Sequence, residues 1–263
     1  MKKIIFMAVA GFISLASCSN SDEPQVEQFG TISLGMSADI TVSTRAVTAL
    51  TPEQLANYQI TLNKSGVAEA IKSGTYQNLF PTGNTMLVST GTGYTLTAAN
   101  CTDADAESAN NGQGQIQYKG TSNEFEVKAN LNTDVTVNCK VANAQVSVTW
   151  DNSIANSSAF SELKAVVYEN SNADRQFTFT NDTANDPHPF FNIDEDPKLV
   201  GTITYKFNGN EKNYTITDIA LAPAKHIKLA ISASTNSGQI TVTITVDDTV
   251  EEENHPIEIN PYV

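Results

Sequence analysis

Histidines and clustered carboxylates are the side chains of this sequence that could bind a metal or transfer a proton. The three histidines, His188, His226 and His255, lie neither in an HExxH motif nor at metal-ligand spacing from one another. Prolines flank His188 and follow His255, which predicts solvated loops for both. The sequence also lacks a GxSxG motif, a Gly-rich phosphate loop and a CxxC pair. It therefore predicts no metal, no cofactor and no catalytic residue.

Three acidic clusters could supply carboxylates to a calcium site or to a glycosidase pair. Residues 103–107 alternate Asp and Glu with Ala as a calcium loop does, but Ser108 and Gly114 stand where that loop requires Gly and a bidentate Glu. For the clusters 194–196 and 247–248, the sequence does not identify a further carboxylate that would complete a calcium site or a glycosidase pair. Because the chain has 29 Asp and Glu residues, we interpret these runs as solvated turns.

The first 18 residues have the order of a bacterial secretion signal. Lys2 and Lys3 precede an apolar run that ends at Leu15, and this run is shorter than the about 20 residues that span a bilayer. Small residues follow, and the sequence up to Cys18 resembles the lipobox of bacterial lipoproteins. The resemblance implies removal of residues 1–17 and attachment of acyl chains, such as palmitate, to Cys18. Several acyl chains are needed for stable anchoring.

Residues 18–29 are predicted to be an acidic, flexible tether. Ser19 to Pro24 is polar and acidic and cannot pack into a core. The segment resembles the export signal that follows the lipidated cysteine in surface-exposed lipoproteins of Bacteroidales-type bacteria. We therefore expect a chain that is lipid-anchored to the outer membrane and surface-exposed; a plain spacer, with attachment facing the periplasm, is the alternative.

The net charge argues against polyanionic partners. The chain carries −14 at pH 7, and without Lys2 and Lys3 it carries −16. Such an acidic protein repels nucleic acid and anionic head groups, so we expect neither as a partner.

Cys101 and Cys139 remain after Cys18, and export would permit a disulfide between them. Alternatively, both are small buried hydrophobic residues. Cys139 lies on the apolar face of a predicted strand, which favours two separate thiols.

Strand periodicity dominates the sequence and indicates an all-β fold. The clearest example has apolar or small residues at every second position from Ile32 to Val42. Apolar residues then occupy odd positions from Val135 to Val141 and even positions from Ala144 to Trp150. This change of phase at 142–143 indicates either a bulge or passage from one sandwich to another, and we prefer the second.

These patterns predict two tandem Greek-key β-sandwich domains. The first covers residues 30–142 and the second residues 143–263. Trp150 is in phase with buried positions and is predicted to lie in the core, whereas Phe190 and Phe191, in a Pro-flanked loop, are the better candidates for an exposed contact.

Several segments resemble fimbrillin-like surface lipoproteins of Bacteroidales-type bacteria, in particular a subfamily of unknown function that is grouped with cell-adhesion proteins. The resemblance depends on the lipobox, the acidic tether and four further segments: 30–46, 93–98, 137–146 and 240–248. It implies transthyretin-like sandwiches and a surface ligand on a host or another bacterium.

The resemblance also implies assembly by strand addition. In fimbrillins a protease cuts after an Arg that follows the first strand, and Arg45 stands at that place. A partner's strand would then fill the groove, and the C-terminal tail around Ile257, Ile259 and Val263 is a candidate donor. However, Pro256 and Pro261 make the tail an imperfect strand, and an uncut Arg45 in a plain loop is the alternative that we prefer.

Two short segments resemble O-glycosylation sites of the same bacteria, and the resemblance makes Thr183 and Thr249 candidates for modification. Taken together, the sequence predicts a non-enzymatic surface lipoprotein that acts in cell adhesion or as a component of a fimbria. A glycan-binding surface lipoprotein of a polysaccharide-uptake system is the alternative.

Overall fold

The computed structural model describes residues 27–39, 47–50, 52–81, 84–182, 187–193, 195–233 and 240–247. Strands dominate this part of the chain, so the all-β fold predicted from the sequence is confirmed. The helices are short, and no described helix is both long enough and apolar enough to cross a membrane.

Nine strands and three helices form the first part of the fold. The strands are β1 (Phe29–Asp39), β2 (Val47–Ala49), β3 (Gln59–Lys64), β4 (Lys72–Thr75), β5 (Thr85–Ser89), β6 (Gly91–Ala99), β7 (Tyr118–Thr121), β8 (Phe125–Val127) and β9 (Asn132–Val141). The helices are α1 (Pro52–Leu55), α2 (Tyr76–Leu79) and α3 (Asp103–Gly112).

Eight strands and one helix form the second part. The strands are β10 (Ala144–Trp150), β11 (Phe160–Glu169), β12 (Asn172–Thr180), β13 (Phe190–Phe191), β14 (Lys198–Phe207), β15 (Asn210–Ala220), β16 (His226–Ala233) and β17 (Ile240–Asp247). The helix is α4 (Asn152–Ala155).

The first nine strands form one hydrogen-bonded sheet that curls around a single core. Its order is β2-β1-β9-β7-β6-β3-β4, with β5 paired to β1 and β8 paired to β6. The turn from one layer to the other is made between β9 and β7, where only two residue pairs are in register. Strands of both layers supply the core, including Ile32 of β1, Leu62 of β3 and Leu96 of β6, all 0% exposed.

The remaining strands form two four-stranded sheets with a second core between them. Their orders are β13-β10-β16-β17 and β12-β11-β14-β15. The core contains Val146 and Ile231 from the first sheet and Ile203 from the second, each 0% exposed. Trp150 packs there as well at 9% exposed, so the prediction of a core tryptophan is confirmed.

The change of apolar phase at 142–143 coincides with a change of sheet. β9 pairs with β1 and β7, whereas β10 pairs with β13 and β16, so the segment is not a bulge within one strand. Asn143, 0% exposed, fixes the junction: its Nδ2 donates to the carbonyl of Gln115 at 2.7 Å and its Oδ1 accepts from the amide of Gln117 at 3.1 Å.

Candidate functional site

The most distinctive site is the position of β1 inside its sheet. Along one edge β1 pairs in parallel with β9, from Thr31 opposite Asn132 to Ala38 opposite Cys139. Along the other edge it pairs antiparallel with β5 over its first half and with β2 over its last residues. We call the surface that β5, β2, β9 and the turn at 127–131 present to this strand the β1 seat. Because β1 is paired on both sides, its loss would leave two open strand edges.

The inner face of β1 is apolar and buried. Its inward side chains are 0–6% exposed and contact the first core: Ile32, Leu34, Met36 and Ala38. Burial of each of the three larger side chains contributes about 1.5–3 kcal/mol, as an upper estimate. The alternating sequence predicted this face, and the structure shows that it lies against the centre of the first core.

The outer face of β1 forms a polar ladder with β9. Thr31 Oγ1 donates to Asn132 Oδ1 at 3.0 Å, and Ser33 Oγ donates to Asp134. Asn132 Nδ2 donates in turn to Ser33 Oγ at 2.9 Å and to Asp134 Oδ1 at 2.8 Å.

Farther along β1, Ser37 Oγ donates to Asn138. These pairs are about 100 residues apart in the sequence, and no local motif connects them, so sequence reasoning missed the ladder.

Gly30 is held by a close backbone approach. A Cβ added at this position would lie 2.3 Å from the carbonyl oxygen of Lys128 and 3.0 Å from that of Leu131. The turn at 127–131 also bonds to the strand, since the amide of Asn130 donates to the carbonyl of Phe29 at 2.9 Å. Only glycine fits this place, and an isolated Gly inside a strand pattern is the signal that could have revealed it.

An exposed apolar patch surrounds the beginning of β1. Phe29 is 40% exposed, and Leu87 and Leu131 are each 56% exposed. Together with Asn130 and Asn132 they line a cavity of about 670 Å³. The predicted tether therefore joins the sheet beside the most exposed part of the β1 seat.

Several predicted sites lie outside the described residues: Cys18, Arg45, Thr183, Thr249 and the tail residues Ile257, Ile259 and Val263. The roles assigned to them stay predictions.

Cys101 and Cys139 are both buried in the structure, and their sulfurs are not bonded to each other. The two sulfurs have different neighbours: Cys101 Sγ contacts Asn100 Oδ1 at 3.6 Å, and Cys139 Sγ contacts the carbonyl of Ala98 at 3.7 Å. Burial raises the pKa of Cys139 to about 11 and also raises that of Cys101. Both thiols therefore act as small core side chains, the alternative that the sequence had favoured.

Phe190 and Phe191 were predicted as an exposed contact, and this prediction is wrong. They form β13 and are 8% and 1% exposed. Phe191 packs edge-on against Phe177, with ring centroids 5.5 Å apart. The Pro-flanked segment pairs with β10, and this non-local pairing buries both rings.

The acidic run 103–107 was interpreted from the sequence as a solvated turn, but it lies in α3, which contacts the second part of the fold. Arg175 of β12 places Nη2 within 2.8–3.3 Å of four carbonyl oxygens, those of Glu107, Gly112, Gln113 and Phe190. Burial lowers the pKa of Arg175, while Glu107 opposes this shift. The guanidinium thus joins α3 to β13.

The acidic clusters do not converge on a metal site within the described part of the chain. Asp103 accepts from Gln117 Nε2 at 2.7 Å and from Lys119 Nζ at 3.0 Å, and these bonds lower its pKa. Asp105 instead belongs to the cap of α3, where Thr102 Oγ1 accepts from its amide at 3.0 Å and donates to its carboxylate at 2.7 Å. The carboxylates of this cluster therefore have structural partners.

Of the three histidines, His226 lies in a described strand. It is 2% exposed in β16, and its Nε2 lies 2.8 Å from Ser147 Oγ of β10. This bond joins two parallel neighbours inside the sheet. His188 lies in a loop, as predicted, with its amide donating to Gln113 Oε1 at 2.8 Å.

The solved structures that match this chain include three fimbrial proteins, each with 11–13% identity. A fimbrial assembly protein from Parabacteroides distasonis has 13% identity and a TM-score of 0.44, covering 84% of this chain and 99% of that chain. A fimbrial anchor protein from Porphyromonas gingivalis has 12% identity and a TM-score of 0.43, covering 85% and 98%. A fimbrilin from the same species has 11% identity and a TM-score of 0.41, covering 82% and 97%.

A search of curated protein sequences finds no match. A search of family models finds one that matches residues 28–261 and is described as a domain of unknown function. This match covers β1 and the whole of its seat, together with both cores. The chain therefore belongs to the DUF4493 family.

Proposed function

We propose that this chain is a non-enzymatic surface lipoprotein of fimbrillin type, anchored to the outer membrane through Cys18, which acts in adhesion or as a subunit of a fimbria. The observation that carries the proposal is the β1 seat. A strand near the N-terminus fills the centre of the first core, and the segment that follows it contains Arg45. The signal and acidic tether support the surface location.

Removal of β1 would create a groove with a defined chemistry. Its floor would be apolar, because four buried side chains would be withdrawn from the first core. Its walls would be the open edges of β9 on one side and of β5 and β2 on the other. Such a groove accepts an extended strand by main-chain hydrogen bonding and by apolar contacts at alternate residues. This geometry supports the proposed assembly by strand addition.

The chain has two arginines, Arg45 and Arg175, and only Arg175 lies among the described residues. Arg175 is held by four carbonyl oxygens, and its side chain is only 16% exposed. Cleavage requires an accessible backbone in an open segment. An arginine-specific protease should therefore spare Arg175 in the folded chain, and we propose Arg45 as its site.

We propose two domains for the mature chain, residues 30–142 and 143–263. Two separate clusters of buried side chains support this division, one drawn from β1–β9 and their helices and the other from the strands that follow. The contacts of Asn143 and Arg175 then belong to the interface between the domains.

The glycan-binding alternative has lost the contact residues that the sequence suggested. Phe190 and Phe191 are core side chains, so neither ring can stack on a sugar. Adhesion and assembly remain the function that the geometry supports best.

Cleavage by an arginine-specific protease tests the assembly. The substrate is the chain from Ser19, the predicted mature protein without its lipid. We expect a new N-terminus at Ala46, release of the β1 fragment and formation of oligomers, measured by light scattering. The Arg45→Lys variant should stay intact and monomeric under the same protease. A cut chain that releases β1 yet stays monomeric at high concentration would contradict assembly by strand addition.

The anchor is tested separately in cells. Radiolabelled palmitate should be incorporated into the wild-type protein and not into Cys18→Ser. Protease added to intact cells should digest the lipidated protein if it faces outward. Protection of the lipidated protein would contradict surface exposure and favour periplasmic attachment.

A further inference from the structure

The first and last strands of the first part of the fold lie side by side and run in the same direction. β1 follows the predicted tether, and β9 leads into the second part through Asn143. The two strands pair over eight residues, from Thr31 opposite Asn132 to Ala38 opposite Cys139. A pull on the beginning of β1 against the end of β9 therefore acts along both strands, in opposite directions.

We infer that β1 and β9 form a clamp that carries tension from the lipid anchor to the second part of the chain, and that the turn at 127–131 stops β1 from sliding out. This inference rests on the proposed function, because the force enters through Cys18 and leaves through a bound surface ligand. It concerns the chain that is not cut after Arg45. A protein that is anchored at one end and bound at the other is stretched when the two surfaces are drawn apart, so bearing tension is a further function of such a chain.

The direction of the pairing determines how the load is distributed. If β1 is pulled along its axis, its pairs with β9 must give way together, because the hydrogen bonds of a parallel pair are evenly spaced along both strands. The other edge of β1 is paired over five residues with β5 and over three with β2, and these pairs are loaded at the same time. A sideways pull at the beginning of β1 would instead break the pairs one after another.

The turn at 127–131 opposes withdrawal of β1 toward the anchor. It covers Gly30 so closely that a Cβ at this position would lie 2.3 Å from the carbonyl oxygen of Lys128 and 3.0 Å from that of Leu131. A slide by two residues keeps the same face inward and would bring Ile32 into this place. Because the obstacle is backbone, the side chain of Ile32 can pass only if the turn itself moves.

The outer face adds contacts that a slide would also break. Ser33 Oγ donates to Asp134, and Ser37 Oγ donates to Asn138, in each case across the two strands. Water can replace these partners, so the side-chain bonds contribute less to the clamp than the main-chain pairs and the steric stop.

The second part of the fold has a similar arrangement with fewer restraints. β10 pairs in parallel with β16 over six residues, but with β13 over only two. β17 runs antiparallel to β16, and Asp247 lies opposite His226, at the same end of the sheet as the beginning of β10. A load on the chain after Asp247 would therefore peel β17 away pair by pair. The better restrained strand pair is the one beside the anchor.

Single-molecule force measurements test the direction of the load. Handles are attached to the chain from Ser19 through introduced cysteines, since the two native thiols are buried. One pair of handles joins Glu27→Cys, before β1, to Lys140→Cys, near the end of β9. The matched control joins Glu27→Cys to Leu131→Cys, at the beginning of β9, so that the pull peels β1 from the sheet. All three positions are exposed.

Both pairs of handles should release about 350–400 Å of chain, at about 3.3–3.6 Å per residue, which shows that the same part of the fold has unfolded. At equal constant force, unfolding through Lys140→Cys should be at least about tenfold slower than through Leu131→Cys, which corresponds to about 1.4 kcal/mol in the barrier. Equal rates, or a slower rate for the Leu131→Cys handles, would overturn the inference.

Truncation of Ile32 tests the steric stop. Ile32→Ala removes the side chain that would have to pass the turn, whereas the control Leu34→Ala removes the next inward side chain of the same core. Urea unfolding of each variant measures the loss of core contacts separately. Beyond that loss, Ile32→Ala should speed unfolding between the Glu27→Cys and Lys140→Cys handles at least about tenfold more than Leu34→Ala.

Equal effects of Ile32→Ala and Leu34→Ala would overturn the stop. The comparison of handles keeps the core intact, so it tests the inference even if Ile32→Ala does not fold.

The inference and the proposed function fail in different experiments. The force measurements need neither the lipid nor a ligand. Absence of palmitate from the wild-type protein would therefore contradict the anchor and leave the measured direction of strength unchanged. Equal unfolding rates for the two pairs of handles would remove the clamp and leave anchoring and adhesion as proposed.

Discussion

β1 and β10 occupy similar places in their sheets but differ in how they are held. Each pairs in parallel with a strand from much later in its part of the chain, β9 and β16 respectively, and antiparallel with another strand on the opposite side. β1 has one buried face and one polar face. β10 begins with three residues in a row that are at most 1% exposed, Ala144, Gln145 and Val146.

The difference indicates which strand is better suited to the proposed exchange. The outer contacts of β1 are hydrogen bonds between polar side chains that water can replace, so a vacant seat exposes apolar surface on one side only. β10 is covered on both faces at its beginning, and its loss would uncover buried polar groups as well as the core. Similar topology therefore gives one strand that suits exchange and one that is fixed.

The largest expected effect comes from truncation of each core. Ile32→Ala and Ile231→Ala remove side chains that are 0% exposed and should each lower the free energy of unfolding by about 4 kcal/mol. Trp150 is the single tryptophan and packs in the second core, so its fluorescence reports that core. In urea, Ile231→Ala should shift the fluorescence transition, whereas Ile32→Ala should shift mainly the circular dichroism. An equal shift of Trp150 fluorescence by Ile32→Ala would contradict two domains.

The next largest loss of stability is expected from a substitution at Gly30, which lies against the turn at 127–131. Gly30→Val introduces a clash with the carbonyl of Lys128 and should destabilise the first core by about 3 kcal/mol. Gly35→Val is the matched control, because that position is exposed and open, and it should change stability by less than about 0.5 kcal/mol. Urea unfolding followed by circular dichroism measures both, and similar values would remove the steric argument.

Replacement of Arg175 should lower the free energy of unfolding by an intermediate amount and should affect both parts of the fold. Arg175→Met leaves four carbonyl oxygens without their donor and should cost about 2 kcal/mol. Lys206→Met is a suitable control, since it breaks an exposed ion pair with Glu162 and should leave the free energy of unfolding nearly unchanged. Hydrogen exchange should show faster exchange in α3 and β13 for Arg175→Met alone. Unchanged exchange in α3 would mean that the guanidinium does not hold it.

Single hydroxyls should give smaller effects that differ between the two strands. Ser147→Ala removes the partner of Nε2 of the buried His226 and should cost about 1 kcal/mol. Ser33→Ala removes a ladder bond at the surface, and water can replace its partners, so the expected cost is about 0.5 kcal/mol. Thermal unfolding of both variants measures the contrast. A larger loss for Ser33→Ala would show that the ladder also stabilises the chain.

The smallest effect near neutral pH comes from Cys139, a thiol that packs in the first core. Burial raises the pKa of Cys139 to about 11, so the folded state favours the neutral thiol. The resulting stability is complete below the unfolded pKa of about 8.5 and is lost as pH rises through the folded value. Thiolate absorbance at 240 nm should titrate at higher pH in the folded chain than in urea. Coincident titrations would place Cys139 in solvent.

Part of this site could be predicted from the sequence, and part could not. Alternation from Ile32 onward identified β1 and its buried face, since period two is a local property. The phase change at 142–143 identified the change of sheet for the same reason. The remaining features depend on contacts between residues that are far apart in the sequence. They are the polar ladder, the hydrogen bonds of Arg175 and the packing that buries Phe190 and Phe191. No local pattern encodes such partners.

The sequence by itself determined the strands, the buried face of β1, the acidic surface and the predicted signal that ends at Cys18, because each depends on residue type and near-neighbour spacing. Only the tertiary structure decided that β1 lies between β9 and β5, that Gly30 meets a backbone turn and that Cys101 and Cys139 stay apart. These facts depend on which strands pair, and pairing is fixed by packing over the whole core.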